Sequence, residues 1–122
     1  MKDEADLLQW LPSMAIFGGL EEKTLKRIIG LLGEHHFEPE AEICKQGEAG
    51  RSMFLVRQGE VVVCRDNAKG RRLKMVRLGP GEFFGEMTLI DIQKRSATVV
   101  AQQPSLLFSL SNRDLYTLYQ ED

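Results

Sequence analysis

Apolar residues in the first quarter of the chain recur with the spacing of one helix face. Over residues 21–32 they stand at i, i+3, i+4 and i+7, namely Leu25, Ile28, Ile29 and Leu32. This spacing predicts an amphipathic helix that Gly33 ends as a C-cap. A shorter helix is predicted from Asp3 to Leu11, and Pro12 stops it. The connector over residues 13–20 has Ile16 and Phe17 as its apolar anchors.

After Gly33 the pattern changes to short apolar runs separated by glycine, proline and polar residues. Strands are predicted over residues 35–38, 42–45, 53–56, 60–65, 71–78, 96–101 and 105–110. Turns are predicted at Pro39, over the polar residues 66–70, and at Gly79-Pro80-Gly81. Short strands with glycine corners predict a mainly β fold, an antiparallel jelly roll of about eight strands with flanking helices.

A C-terminal helix is predicted from Ser111, because Asp114 follows three residues later in a variant of the capping box. Leu115 and Leu118 lie on one face of that helix. We therefore expect a single domain over residues 1–122, with a helical segment at 1–33, a β-roll at 34–110 and a helix at 111–122.

Composition narrows the class of protein. The 122 residues are 43% hydrophobic and 28% charged, as in an ordinary globular domain. The net charge of -2 argues against nucleic acid as a direct partner. No apolar run approaches the ~20 residues of a membrane span, and the acidic N-terminus does not resemble a secretion signal. We expect a cytoplasmic protein.

The residues that usually carry catalysis or bind metals are few. Cys44 and Cys64 lack the CxxC spacing, and we interpret them as reduced, buried small hydrophobes. His35 and His36 are neighbours in a predicted strand, so their side chains point to opposite faces and are poorly placed to share one ion. We predict no metal site, no catalytic residues and no enzyme activity.

The predicted strand over residues 71–78 is basic. Its four cations are Arg71, Arg72, Lys74 and Arg77. A patch for nucleic acid is one interpretation. We favour a solvated outer strand face, because no aromatic residues interleave the cations.

The candidate site lies over residues 83–99, which read FFGEMTLIDIQKRSATV. Gly85 allows a ligand to approach the backbone closely. The amides of Glu86, Met87 and Thr88 are the free donors of a predicted helix N-terminus, which favours a phosphate. Arg95 supplies a planar cation that can make two hydrogen bonds to one phosphate. A carboxylate at Glu86 is best matched by a ribose hydroxyl, so the pattern predicts a site for a small anion that carries a sugar.

The segment GEMTLIDIQKRSATV resembles the phosphate-binding cassette of the cyclic nucleotide-binding domain family. A second segment, ICKQGEAGRSMFLVRQG at residues 43–59, is similar to the glycine signature of the same family. The resemblance covers residues 17–119. It implies that Glu86 holds the ribose 2'-hydroxyl and Arg95 holds the cyclic phosphate. The ligand-binding set that it implies is Phe84, Gly85, Glu86, Met87, Thr88, Arg95 and Ser96.

Departures from the family pattern, together with an expected absence of the lid helix that normally follows in the family, keep a second hypothesis open. Thr88 stands where the family usually has Gly, Ala or Ser, and Lys94 stands where many members have Pro. The first hypothesis is a non-catalytic regulatory domain that binds cAMP or cGMP and needs no further cofactor. The alternative is a structural or protein-interaction module on the same fold that binds no nucleotide, in which Glu86 and Arg95 pair with each other.

The base and the partner are less well defined by the sequence. The resemblance leaves cAMP and cGMP both open, and Met75, Val76 and Leu78 are predicted to line the base side of the pocket. We expect no output domain within these residues, so the chain signals to an effector protein or to a fused domain of a longer protein. The oligomeric state stays open.

Overall fold

A computed structural model describes residues 3–85 and 93–121. The helical segment consists of α1 (Glu4–Trp10), two 3₁₀ turns η1 (Leu11–Ser13) and η2 (Ala15–Phe17), and α2 (Glu22–Leu31). The carboxylate of Asp3 accepts a hydrogen bond from the amide of Asp6 and caps α1. Pro12 lies in the first turn of η1, where its missing N–H costs nothing. Both N-terminal helices are therefore confirmed.

The β-roll is formed by short antiparallel strands. They are β1 (Gly33–Phe37), β2 (Glu42–Cys44), β3 (Ala49–Gly50), β4 (Ser52–Gln58), β5 (Val61–Asp66), β6 (Arg72–Leu78), β7 (Phe83–Phe84), β8 (Gln93–Lys94), β9 (Thr98–Ala101) and β10 (Ser105–Ser111). One sheet has the order β1-β10-β4-β7, a second has the order β2-β9-β5-β6, and β3 pairs with β8. The predicted jelly roll is confirmed, with ten strands in the described part of the chain.

The strands of the first sheet separate two hydrophobic clusters. On β4, Met53 and Leu55 pack with the helices, whereas Phe54 and Val56 pack inside the roll. This division follows from strand geometry, because successive side chains point to opposite faces. The interior face of β4 therefore carries Ser52, Phe54 and Val56 in sequence.

Gly33 has a different role from the predicted one. It does not cap α2: the C-cap is Leu32 in an extended conformation, and Gly33 begins β1. Gly33 pairs with Ser109 of β10, and a Cβ at this position would lie 2.7 Å from Oγ of Ser109. The glycine is explained by this close pairing of strands.

The two predicted anchors of the connector behave differently. Phe17 is buried at 4% exposure, but Ile16 is 38% exposed and does not anchor the segment. The η2 turn directs only one of two adjacent side chains inward, so the prediction for Ile16 is wrong.

Other local predictions agree with the structure. Ser111 Oγ accepts a hydrogen bond from the amide of Asp114 at 3.0 Å, at the start of α3 (Asn112–Glu121). His35 bonds to Ser109 and His36 to Glu34. β6 is an edge strand exposed over most of its length, as expected for a solvated basic strand. No described helix is long and apolar enough to cross a membrane.

Candidate functional site

Gly85 follows β7 in a conformation that favours glycine. Its φ is +80°. A Cβ at this position would overlap Nη1 of Arg95 and lie 3.1 Å from the carbonyl oxygen of Ser52. The close approach of Arg95 to the backbone of Gly85 therefore depends on the missing side chain.

The backbone of Arg95 is fixed by the loop between β2 and β4. The amide of Arg95 donates to the carbonyl oxygen of Glu48 at 2.6 Å, and the amide of Gly47 donates to the carbonyl oxygen of Arg95 at 2.8 Å. Pairing of Ala49 with Lys94 continues this ladder between β3 and β8. Backbone hydrogen bonds from a segment almost 50 residues earlier thus set where the Arg95 side chain begins.

The guanidinium of Arg95 has two contacts with β4, one with its backbone and one with a side chain. Nη2 donates to the carbonyl oxygen of Ser52 at 2.7 Å. Cζ lies 5.9 Å from the centroid of the Phe54 ring. Within residues 3–85 and 93–121, no carboxylate forms an ion pair with Arg95. Among these described residues the charge of Arg95 is therefore not neutralised by a carboxylate.

Phe84 and Ser96 complete the described part of the predicted set. Phe84 is 9% exposed and stacks on Phe54, with centroids 5.3 Å apart. Ser96 is exposed, and its carbonyl oxygen accepts a hydrogen bond from Nε of Arg65 at 3.2 Å. The structure brings both beside Gly85 and Arg95 around a cavity of about 120 Å³, which is lined by Cys44, Val63, Phe84, Gly85, Arg95, Ser96, Ala97 and Val99.

A second cavity of about 220 Å³ also contacts Arg95. Its lining residues are Ile43, Cys44, Lys45, Glu48, Ala49, Arg51, Ser52, Phe54 and Arg95. Cys44 lines both cavities as a free thiol. Burial raises the pKa of the Cys44 thiol, although the positive charge of Arg95 opposes this. Cys44 is therefore a neutral wall residue at neutral pH.

Three predicted residues lie outside the described part of the chain. They are Glu86, Met87 and Thr88, so their roles and the predicted helix that they begin stay predictions. The residues predicted to line the base side of the pocket, Met75, Val76 and Leu78, do not line either cavity in the described part of the chain. Val76 pairs with the cavity residue Val63 but is 48% exposed, and Met75 is 58% exposed. Together with Leu78 they are absent from the described lining, so their contact with a base stays a prediction.

Sequence reasoning missed Ser52 and Phe54 as partners of Arg95, and Cys44 and Val63 as wall residues. A signal was present for Phe54 only. Strand alternation over residues 52–58 places the Phe54 side chain on the interior face of the roll, whereas Ser52 contacts Arg95 through its backbone carbonyl oxygen, which alternation does not predict. The pairing of this face with Arg95 had no local signal, because it depends on where β4 lies in the roll.

Comparison with known proteins identifies the class. The family model described as "Cyclic nucleotide-binding domain" matches residues 34–122. The chain therefore belongs to the cyclic nucleotide-binding domain family, as its site residues and fold had suggested.

Two curated relatives illustrate the range of this family. The chain is 32% identical over 103 residues to the cyclic AMP receptor protein of Thermus thermophilus, covering 84% of this chain and 48% of that protein. It is 38% identical over 110 residues to a cyclic nucleotide-gated potassium channel of Mesorhizobium japonicum, covering 90% of this chain and 29% of the channel. The chain thus spans less than half the length of either relative.

Solved structures share the fold. The regulatory domain of Toxoplasma gondii PKA with cAMP superimposes with a TM-score of 0.86 at 23% identity, covering 95% of this chain and 45% of that one. A cyclic nucleotide-binding-like protein from Brucella abortus has a TM-score of 0.83 at 18% identity, covering 94% of this chain and 98% of that one.

Proposed function

We propose that this domain binds cAMP or cGMP and serves as a non-catalytic regulatory module. The observation that carries the proposal is the Arg95 guanidinium, held against the backbone of Gly85 and free of any carboxylate among the described residues. A half-buried guanidinium beside a glycine, which has no side chain, matches the charge and the shape of a phosphate group.

Each site residue has a distinct proposed role. Arg95 binds the exocyclic oxygens of the cyclic phosphate, and the amides of Gly85, Met87 and Thr88 add hydrogen bonds to it. Glu86 accepts a hydrogen bond from the ribose 2'-hydroxyl. Ser96 lies next to Arg95 and can donate its hydroxyl to the phosphate or to a guanine. The described geometry of Gly85 and Arg95 supports the proposed phosphate contact, whereas the roles of Glu86, Met87 and Thr88 are proposed from the resemblance to the family.

The partner is proposed from the relatives. A receptor protein and a gated channel both contain a domain similar to this chain within a longer protein. We propose that this domain passes nucleotide occupancy either to a fused output domain or to a separate effector protein in the cytoplasm.

Calorimetric titration of the purified, nucleotide-stripped protein with cAMP and with cGMP tests the proposal. We expect saturable one-to-one binding, and the ratio of the two affinities names the ligand. Arg95→Ala should lose about 2–4 kcal/mol, which is roughly 30- to 1,000-fold in Kd. Arg71→Ala removes the same charge from the exposed hairpin and serves as the control.

Glu86 has a test of its own. Glu86→Ala should weaken cAMP binding but leave the affinity for 2'-deoxy-cAMP nearly unchanged. Equal losses for the two ligands would contradict its assigned contact with the ribose. A folded, nucleotide-free wild type that binds neither cAMP nor cGMP would instead favour the protein-interaction module.

A further inference from the structure

We propose that Phe54 is a positioning residue of the nucleotide site, and that its ring joins the two halves of the phosphate cradle. One half is Gly85 and the other is the Arg95 guanidinium. The inference rests on the proposed function for its effect on affinity, but it also makes a claim about the protein without ligand.

Phe54 is connected to the Gly85 half through Phe84. The two phenylalanines are paired directly in the register of β4 and β7. Their rings stack with centroids 5.3 Å apart and planes 19° apart. Since Gly85 follows Phe84 in the chain, this stack limits the position of the Gly85 backbone.

Phe54 is connected to the other half through the guanidinium itself. Cζ of Arg95 lies 5.9 Å from the ring centroid, within the range in which the electron-rich face of an aromatic ring attracts a cation. The backbone carbonyl oxygen of Ser52, two residues earlier on β4, accepts the hydrogen bond from Nη2. One strand thus holds the guanidinium at two points.

The chemistry of these two contacts suits a site that must receive an anion. A carboxylate in the same place would neutralise Arg95 and compete with the phosphate. An aromatic ring attracts the cation without using its N–H donors, and the Ser52 carbonyl occupies Nη2. Nη1 approaches Gly85 most closely, and within residues 3–85 and 93–121 no carboxylate pairs with it, so we propose that it donates to a phosphate oxygen.

Stepwise fluorination of the Phe54 ring tests the proposal, because fluorine withdraws charge from the ring face with little change in shape. We expect cAMP affinity to fall progressively through the mono-, di- and trifluoro-phenylalanine proteins, reaching about two- to fivefold. The melting temperatures should stay close to that of the wild type. The matched control is Phe37, another half-buried ring that packs against the same cluster, where fluorination should leave Kd unchanged.

If the wild type binds cAMP and the fluorinated Phe54 proteins bind it with unchanged affinity, the proposal is overturned. An equal fall in affinity at Phe37 also overturns it. If the wild type binds no nucleotide, the proposed function fails and the positioning role is decided by NMR on the ligand-free protein. Phe54→Leu should move the Arg95 side-chain resonances out of the ring-current field, and Phe37→Leu should not. Arg95 resonances that are unchanged in Phe54→Leu would overturn the role of Phe54.

Discussion

Replacing Gly85 by alanine combines two effects that the structure separates. The first is conformational, since a residue with a Cβ at φ +80° is destabilised by about 1–2 kcal/mol. The second is steric, because the new methyl group overlaps Nη1 of Arg95. Gly81→Ala provides the matched control. Gly81 has φ +88°, but nothing lies within 4 Å of a Cβ there, so only the conformational cost applies.

The steric effect falls on the ligand site. To accept the methyl group the guanidinium must move by on the order of 1 Å. A shift of that size stretches the 2.7 Å hydrogen bond to Ser52 toward the limit of hydrogen bonding and moves the donors away from the proposed position of the phosphate. Loss of one charge-assisted hydrogen bond costs about 1.5–3 kcal/mol, so Kd for the cyclic nucleotide should rise about 10- to 150-fold.

Thermal unfolding and calorimetry separate the two effects. Gly81→Ala should melt lower by about 5 °C, as expected for about 1–2 kcal/mol in a domain of this size, and Gly85→Ala by more than that, because its methyl group also crowds the Arg95–Ser52 contact. Only Gly85→Ala should lose nucleotide affinity. Wild-type Kd in a folded Gly85→Ala protein, or an equal loss in Gly81→Ala, would refute the reasoning that the backbone of Gly85 and Arg95 form one site.

Three further predictions concern the scaffold. Gly59→Ala should lower the free energy of unfolding, measured by urea denaturation, by about 3 kcal/mol or more, because φ is +93° and the new Cβ would meet a carbonyl oxygen at 2.6 Å. The control is Gly70→Ala, where no atom lies within 4 Å of the new Cβ, and it should lower the free energy of unfolding by only about 1–2 kcal/mol. Ser111→Ala should lower the free energy of unfolding by about 1 kcal/mol, because the amide of Asp114 loses its cap; an unchanged urea midpoint would contradict the cap. Burial raises the pKa of the Cys44 thiol above its ordinary value of 9.0, so the unfolded chain releases this proton first as the pH rises. This thiol should therefore leave the free energy of unfolding unchanged below about pH 8 and lower it above about pH 9. Between about pH 7.5 and 10 the urea midpoint of Cys44→Ala should decline less than that of the wild type.

Local pattern was sufficient for most elements of the fold. The spacing of Leu25, Ile28 and Ile29 predicted α2 because a helix stripe is a property of neighbouring residues. Ser111 predicted the start of α3 because a cap bonds only three residues away. Gly85 and Arg95 could be predicted as candidate site residues from the sequence, since they lie in one segment with a recognisable family pattern.

Residues adjacent in sequence do not determine which distant segments pack together. The predictions that depended on such packing, for Gly33 and Ile16, were wrong. Gly33 resembles a helix C-cap in sequence, but its actual constraint is Ser109 on another strand. Ile16 and Phe17 are equally apolar, and only the docking of η2 decides which one is buried.

The sequence by itself determined the kinds of elements, the closed β architecture and the segment that carries the candidate anion site. Only the tertiary structure decided what surrounds Arg95. Its side chain is held by Ser52 and Phe54, and its backbone by Glu48, all more than 40 residues away in the chain. The physical reason is that hydrogen bonds and ring contacts act through space. Which strands lie side by side is decided by burial of the whole roll rather than by the residues next to the site.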